Sequence, residues 1–244
     1  MPKTQQLYDV GFERPLTTVD VVIFGVLQDT LQVLLVKREA AASEPYPGAW
    51  ALPGGFVDVD RDRDLEACAR RKLTEKTGVT SPYLEQLGSW GDARRDPRGW
   101  SATHVYFALI PTAGVTLRAG ANAADVGWFP IADAGVRKRL AFDHARLLEA
   151  AVTRLRGKAE YTSLPVYLLP DQFTLSELQR AYEIVIGRPL EKSAFRTRVL
   201  AAEFVEPTAR LREGSNRPAR LYRLKADKEV TYFPRTFEPR RTAP

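Results

Sequence analysis

The stretch Trp50–Val79, WALPGGFVDVDRDRDLEACARRKLTEKTGV, constrains this chain more than any other. A short apolar segment runs into the pair Gly54–Gly55, a highly charged loop follows, and an amphipathic helix closes at Gly78, the residue type that most readily takes a left-handed cap. Helical spacing turns Leu65, Ala69 and Leu73 toward a core. It also places Lys72, Glu75 and Lys76, at i, i+3 and i+4, on one face aimed at one volume. A hard cation wants oxygen ligands there, and two ammonium groups repel it. The same two lysines suit phosphate oxygens as point charges.

The 244 residues permit one large domain or two modest ones with real cores. A single cysteine, Cys68, excludes an intrachain disulfide and any cysteine-rich zinc site, and two histidines, His104 and His144, leave metal chemistry little to work with. Cys68 reads as a small buried residue of the helix. No secretory signal pattern opens the chain, and the apolar run near Val21–Leu27 is too short to span a bilayer, so the expected location is the cytoplasm, with no membrane partner. The net charge of +6 is unevenly placed: residues 1–160 carry 21 Lys+Arg against 20 Asp+Glu, and residues 161–244 carry 15 against 10. The basic excess belongs to the C-terminal third.

Residues 17–27 and 31–38 are β-rich runs separated by Gln-Asp-Thr, which reads as a hairpin. Strands are expected again at Tyr83–Trp90, Ser101–Ile110 and Val126–Pro130, with an exposed charged loop, GDARRDPRGW, between the first two. A helix from about Phe142 to Lys158 follows. Strands around an intervening helix, with further helices outside, imply a layered α/β/α sandwich.

Composition shifts near Gly157–Ser163. Thr174 with Glu177 three residues on forms a capping box, Leu175, Leu178, Tyr182 and Ile186 follow at helical spacing, and Gly187 closes that helix. After a short turn, SAFRTRVLAAEFV reads as a second helix with Phe195, Val199 and Leu200 inward. VEPTARLREGSNRPARLYRLK then reads as strand, turn and strand. Helix, turn, basic helix and basic hairpin make a winged helix-turn-helix. Residues 188–225 hold ten Lys+Arg against four acidic residues, which points to double-stranded DNA. Lys192, Ser193, Arg196 and Thr197 are the recognition-helix candidates, and Arg212, Asn216, Arg217 and Arg220 the wing candidates. The expected division is 1–155 for an effector-binding domain, 156–235 for the DNA-binding domain and 236–244 for a tail without assigned function.

The Trp50–Val79 stretch resembles the Nudix box, G-x5-E-x7-R-E-U-x-E-E-x-G-U with U aliphatic, whose glutamates bind the divalent metals of diphosphate hydrolysis. Aligned backward from Gly78, Arg71, Leu73, Glu75, Gly78 and Val79 match the pattern. The three other carboxylate positions fall on Arg63, Lys72 and Lys76. The resemblance therefore implies an α/β Nudix fold with a mixed sheet but no catalytic residues and no metal. Asp62, Asp64 or Glu66 in a shifted metal site is the alternative. Lys72 and Lys76 either decorate a scaffold helix or replace the metal as fixed positive charge.

Joined to LPDQFTLSELQRAYEIVIGRPLEKSAFRTRVL and RPARLYRL, the degenerate box resembles the Nudix-related transcriptional regulators of NAD metabolism. That resemblance implies a homodimeric repressor on a palindromic operator, with ADP-ribose or a similar NAD-derived nucleotide as effector and no required cofactor. An active diphosphatase, or a regulator sensing a sugar, is the alternative. Effector candidates are Arg38, Trp50, Gly54, Gly55 and Phe56 at the box entrance and Arg71, Lys72, Glu75 and Lys76 on the helix. Asp92, Arg95 and Arg98 belong to a loop that either stays solvated or closes over a ligand. Ligand and DNA are expected to compete through rearrangement across the 153–163 connection.

Overall fold

Strand β1, Leu16–Leu27, is buried on both faces and lies at the centre of the sheet. In the computed structural model, which describes residues 13–40, 44–78, 83–113, 115–117, 123–133, 135, 138–212, 218–226 and 229–237, β1 pairs antiparallel with β2, Thr30–Lys37. It also pairs parallel with β6, Ser101–Leu109. The two-residue turn Gln28–Asp29 has φ of 49° and 56°, the left-handed geometry that matches the twist of a tight hairpin.

The remaining strands are β3 (Trp50–Ala51), β4 (Gly54–Phe56), β5 (Tyr83–Asp92) and β7 (Asp125–Pro130). They complete a seven-stranded mixed sheet in the order β3-β2-β1-β6-β5, with β4 on β1 and β7 on β2.

Alternation along β1 separates two cores. Val19, Val21 and Ile23 pack with Cys68, Ala69 and Leu73 of helix α1, Leu65–Thr77. Val22 and Phe24 face the opposite side, where helix α2, His144–Ala159, contributes Leu147, Leu148, Ala151 and Leu155. This is the expected α/β/α sandwich. Asp64 caps α1 by accepting from the Ala67 amide, and Gly78, at φ 67°, ends it.

Helices α3 (Leu175–Ile186) and α4 (Lys192–Ala201) and the hairpin of β8 (Val205–Arg212) and β9 (Ala219–Leu224) form the winged helix. The capping box of Thr174 and Glu177 and the left-handed Gly187 are present as expected. On α4, Phe195 and Val199 are buried but Leu200 is exposed, because the i, i+4 pair already defines the inward stripe and the next residue lies about 100° around the helix.

Two expectations about boundaries need correction. The 155/156 cut falls inside α2, and the 153–163 connection is no hinge. Thr162 and Ser163 are buried, Tyr182 Oη donates to the Thr162 carbonyl at 2.8 Å, and one hydrophobic cluster runs from Phe24 through Leu155 and Leu164 to Phe195. The described part of the 236–244 tail is not loose either. The Phe237 amide donates to Glu160 O at 3.0 Å, and its ring lies 5.4 Å from Tyr182 and 4.1 Å from the Arg198 guanidinium.

Truncation after Ala226 removes Phe233 and Phe237 together. We expect the truncated chain to lose at least about 3 kcal/mol in urea denaturation, the scale of deleting one buried phenylalanine ring. An unchanged midpoint would mean that the segment contributes nothing.

Candidate functional site

The charged loop and the first turns of α1 are held by one ion pair. Arg71 lays its guanidinium on Asp62, with Nε–Oδ1 at 2.7 Å and Nη2–Oδ2 at 2.6 Å, and the Asp62 side chain is 1% exposed. Asp62 also accepts from the Asp58 amide at 2.9 Å. The Arg71 hydrogen bonds hold the Asp62 carboxyl far below the ordinary carboxylate range. Burial pushes the Cys68 thiol up to about 12, so it is a packing residue and not a nucleophile.

The other acids of the box are committed in the same way. Asp64 caps the helix and pairs with Arg63, Glu66 pairs with Arg70, and Glu75 pairs with Arg71 at 3.1 Å and Arg61 at 3.7 Å. Among the described residues, no three His, Cys, Asp or Glu side chains converge to hold a metal ion. Asp62, Asp64 and Glu66 are each engaged by a neighbouring arginine or the helix end instead. The donor set at the box does not fit a divalent cation.

What the box does present is positive charge over glycine backbone. A Cβ on Gly55 would sit 3.1 Å from Lys72 Nζ, and Gly55 has φ 135°, so both space and backbone require glycine. Lys72 has no acidic partner within 4 Å among the described residues. Burial lowers the pKa of Lys76 on the same face.

These groups line a cleft of about 940 Å³ that contains eight of the nine expected effector residues: Arg38, Gly54, Gly55, Phe56, Arg71, Lys72, Glu75 and Lys76. Trp50 is the exception, since its ring packs edge-on against Phe129 at 4.6 Å in the core. Arg38 donates to Pro45 O at 2.8 Å and Glu44 at 2.9 Å. Arg98 lies over the Phe56 ring at 4.9 Å and forms part of the rim. Asp92 instead ties its own turn, accepting from the Arg94 and Arg95 amides.

Arg95 is not a closing residue, because it is buried in the cleft floor. It makes a two-point contact with Asp143 at 2.9 and 3.2 Å, reaches Ser101 Oγ at 3.3 Å, and lies 3.8 Å from Asp20. Asp20 and His144 complete that floor, and sequence reasoning missed both. The available signal was a lone acid inside the apolar run TTVDVVIFGVL.

On the winged helix, Lys192, Ser193 and Thr197 are exposed along α4, and Arg196 is half-buried with Nη2 3.4 Å from Ser176 Oγ. Glu191 caps α4 through the Ser193 and Ala194 amides. Arg220 is exposed on β9, whereas Arg212 is tied to Glu177. Asn216 and Arg217 lie outside the described residues. Arg188 and Arg223 pair with Glu160 and Glu206. Lys192, Arg210 and Arg220 have no acidic partner within 4 Å among the described residues, which makes them available to phosphates.

Two consequences are measurable. Asp62→Asn leaves the Arg71 guanidinium only Glu75 as a charged partner, and we expect about 3 kcal/mol of destabilisation in urea, the low end of the scale for breaking a buried pair. His144 is held below its ordinary 6.5, chiefly by burial, against the pull of Asp20 and Asp143 and with help from Arg95 and Arg38. On acidification the unfolded chain takes up that proton first. Stability is therefore present above pH 6.5 and falls below it, with a slope of up to about 1.4 kcal/mol per pH unit. The Leu52 amide donates to His144 Nδ1 at 2.9 Å; His144→Asn, which keeps an acceptor for that amide, is expected to flatten that slope in denaturation series from pH 7.5 to 5.5.

Residues 16–151 match the NUDIX domain family, and residues 165–224 match the NrtR DNA-binding winged helix domain. The chain is 47% identical over 227 residues to the ADPR responsive transcriptional repressor NtrR of Acinetobacter baylyi, covering 93% of this chain and 89% of that protein. It superimposes on Shewanella oneidensis NrtR complexed with a 27mer DNA with a TM-score of 0.81 and 42% identity, over 91% of this chain and 99% of that one. The NUDIX domain of the same protein complexed with ADP ribose gives a TM-score of 0.55 and 44% identity, over 62% of this chain and 94% of that domain. The chain belongs to the NrtR family, in which a Nudix domain is joined to a DNA-binding winged helix.

Proposed function

We propose that this protein is a transcriptional repressor that binds ADP-ribose in the Nudix cleft without cleaving it. The observation that carries this is the Lys72 ammonium over Gly55, in a box whose carboxylates are taken up by arginines and a helix cap. Fixed cations there stabilise a bound diphosphate, and among the described residues no carboxylate cluster is available to load metal for attack on it. Relatives named as an ADPR responsive repressor and as a DNA complex support the same reading.

Residues 1–155 serve the effector and 156–235 the operator. This division is one of function, since the two parts share a core, and the described packing carries the second unit on to Phe237. The protein acts in the cytoplasm as a homodimer on a palindromic operator, each α4 entering the major groove of one half-site, with half-sites about one helical turn apart. Among the described residues no helix is long and apolar enough to cross a membrane. Lys192, Ser193, Arg196 and Thr197 face the bases and phosphates, and the wing, including Arg212, Asn216, Arg217 and Arg220, follows the backbone. Effector and DNA lower each other's affinity by the same factor.

The test is DNA-binding anisotropy on the duplex upstream of the neighbouring genes, titrated with ADP-ribose with and without magnesium, while nucleotide products are followed by chromatography. The expected result is release of a specific duplex by intact ADP-ribose, with no AMP formed. Lys72→Glu should retain DNA affinity and require roughly ten- to a hundredfold more ADP-ribose for release, as expected for loss of a charge-assisted contact. Magnesium-dependent turnover without a specific footprint would establish a diphosphatase and sink the proposal.

A further inference from the structure

Helix α4 is seated at its two ends by different parts of the chain. At its start, side chains of α3 grip the backbone of Leu190: Gln179 Nε2 donates to the Leu190 carbonyl at 2.9 Å, and Glu183 Oε1 accepts from the Leu190 amide at 3.0 Å. Gln179 also donates to Glu183 at 3.1 Å, which ties the two gripping side chains together. With both polar groups of Leu190 held, the turn into α4 has little freedom.

The far half of α4 rests on residues that follow the wing. The Phe237 ring lies nearly parallel to Phe195 at 5.9 Å and edge-on to Tyr182 at 5.4 Å and Phe233 at 5.7 Å, and the Arg198 guanidinium covers it at 4.1 Å. Its segment is fixed to the end of α2 and the residues after it. The Phe237 amide donates to Glu160 O at 3.0 Å, the Phe233 amide to Tyr161 O at 2.7 Å, and the Ser163 amide to Thr231 O at 2.9 Å. The match to the winged helix family ends at residue 224, so this support lies beyond it.

Holding Arg198 there costs hydration. Its Nη1 is buried with no hydrogen-bond partner among the described residues, and burial lowers the pKa of the guanidinium. Glu160, the acid that attracts it, is taken up by Arg188 through both oxygens. The face of the Phe237 ring offsets part of that cost, in a contact that is directional because ring and guanidinium are both planar.

We propose that Phe237, acting through Arg198, is a positioning residue for operator reading: with the start of α4 fixed at Leu190, it sets the angle at which the helix meets the DNA groove. This rests on α4 being the recognition helix. Arg196 and Thr197 lie in the half of α4 that a tilt about Leu190 displaces most. Contacts to base edges tolerate shifts of only about 0.5 Å, whereas attraction to the phosphate backbone survives them.

The test compares the full-length wild type with Phe237→Leu and Arg198→Met by anisotropy, on the duplex upstream of the neighbouring genes and on a scrambled duplex of equal length, at a temperature where melts show each protein folded. Leucine keeps apolar bulk and removes the ring face; methionine removes the guanidinium and leaves every ring in place. Each variant is expected to lose about tenfold in affinity for the operator duplex, the scale of a desolvated cation–π contact, and to bind the scrambled duplex as wild type does. The double variant should be no worse than either single one, because both remove the same contact. Equal weakening on both duplexes, or an unchanged operator affinity, overturns the positioning role and leaves Phe237 a stabilising residue only. Arg198→Met decides the question even if Phe237→Leu does not fold. A wild type that prefers neither duplex sinks the recognition-helix reading itself, and this inference with it.

Discussion

The contact between Arg71 and Asp62 fixes most of what the cleft can do. It pins the 58–62 turn to α1 with two parallel hydrogen bonds on a carboxylate shielded from water, and so sets the rotation of the helix about its own axis. A guanidinium suits this because its planar fork meets both oxygens at once. With Arg71 held, Leu73 is committed to the sheet and Lys72 to the glycine pair. The same contact takes one carboxylate away from any cation, and Arg71 reaches a second, Glu75.

Substituting lysines for acids changes what the cleft offers without changing its walls. A metal site presents a doubly charged ion to a diphosphate and activates water beside it; ammonium groups supply the charge and do not activate water. Seven cationic side chains line the cleft, but all five arginines among them are engaged: Arg38 with Glu44, Arg61 and Arg71 with Glu75, Arg95 with Asp143 and Arg98 with Asp96. The arginines therefore serve chiefly to shape the walls.

What was legible in the sequence was the chemistry written within a few residues of itself. Gly78, Gly187 and the Thr174–Glu177 pair announce helix ends because caps are local hydrogen bonds. The near-continuous apolar run of β1 announces a strand buried on both faces. Asp20 and His144 were illegible as a pair, being 124 positions apart and brought together by the sheet and by the start of α2. Phe237 was illegible for a different reason: a proline- and charge-rich terminus reads as solvent-exposed, and only the gap beside Tyr182 and Phe195 gives its ring a place. Trp50 admits both a cleft and a core reading, because an aromatic at a cleft entrance and an aromatic in a core look identical in sequence.

Helix α2 limits how effector and DNA can affect one another. Its 16 residues span about 24 Å, with Asp143 at one end bound to Arg95 in the cleft floor. At the other end Glu160 is bound through both oxygens to Arg188 in the turn before α4. Between them, Leu147, Leu148, Ala151 and Leu155 are packed into a core shared with the winged helix, and packed cores do not deform continuously. A ligand that tightens the cleft floor therefore cannot act by swinging one domain on a flexible link within the protomer. In the proposed homodimer, what remains adjustable is the placement of one whole protomer against its partner. In a homodimer a rotation of a few degrees there, carried rigidly along α2, moves the two recognition helices out of the one-turn spacing that paired half-sites demand.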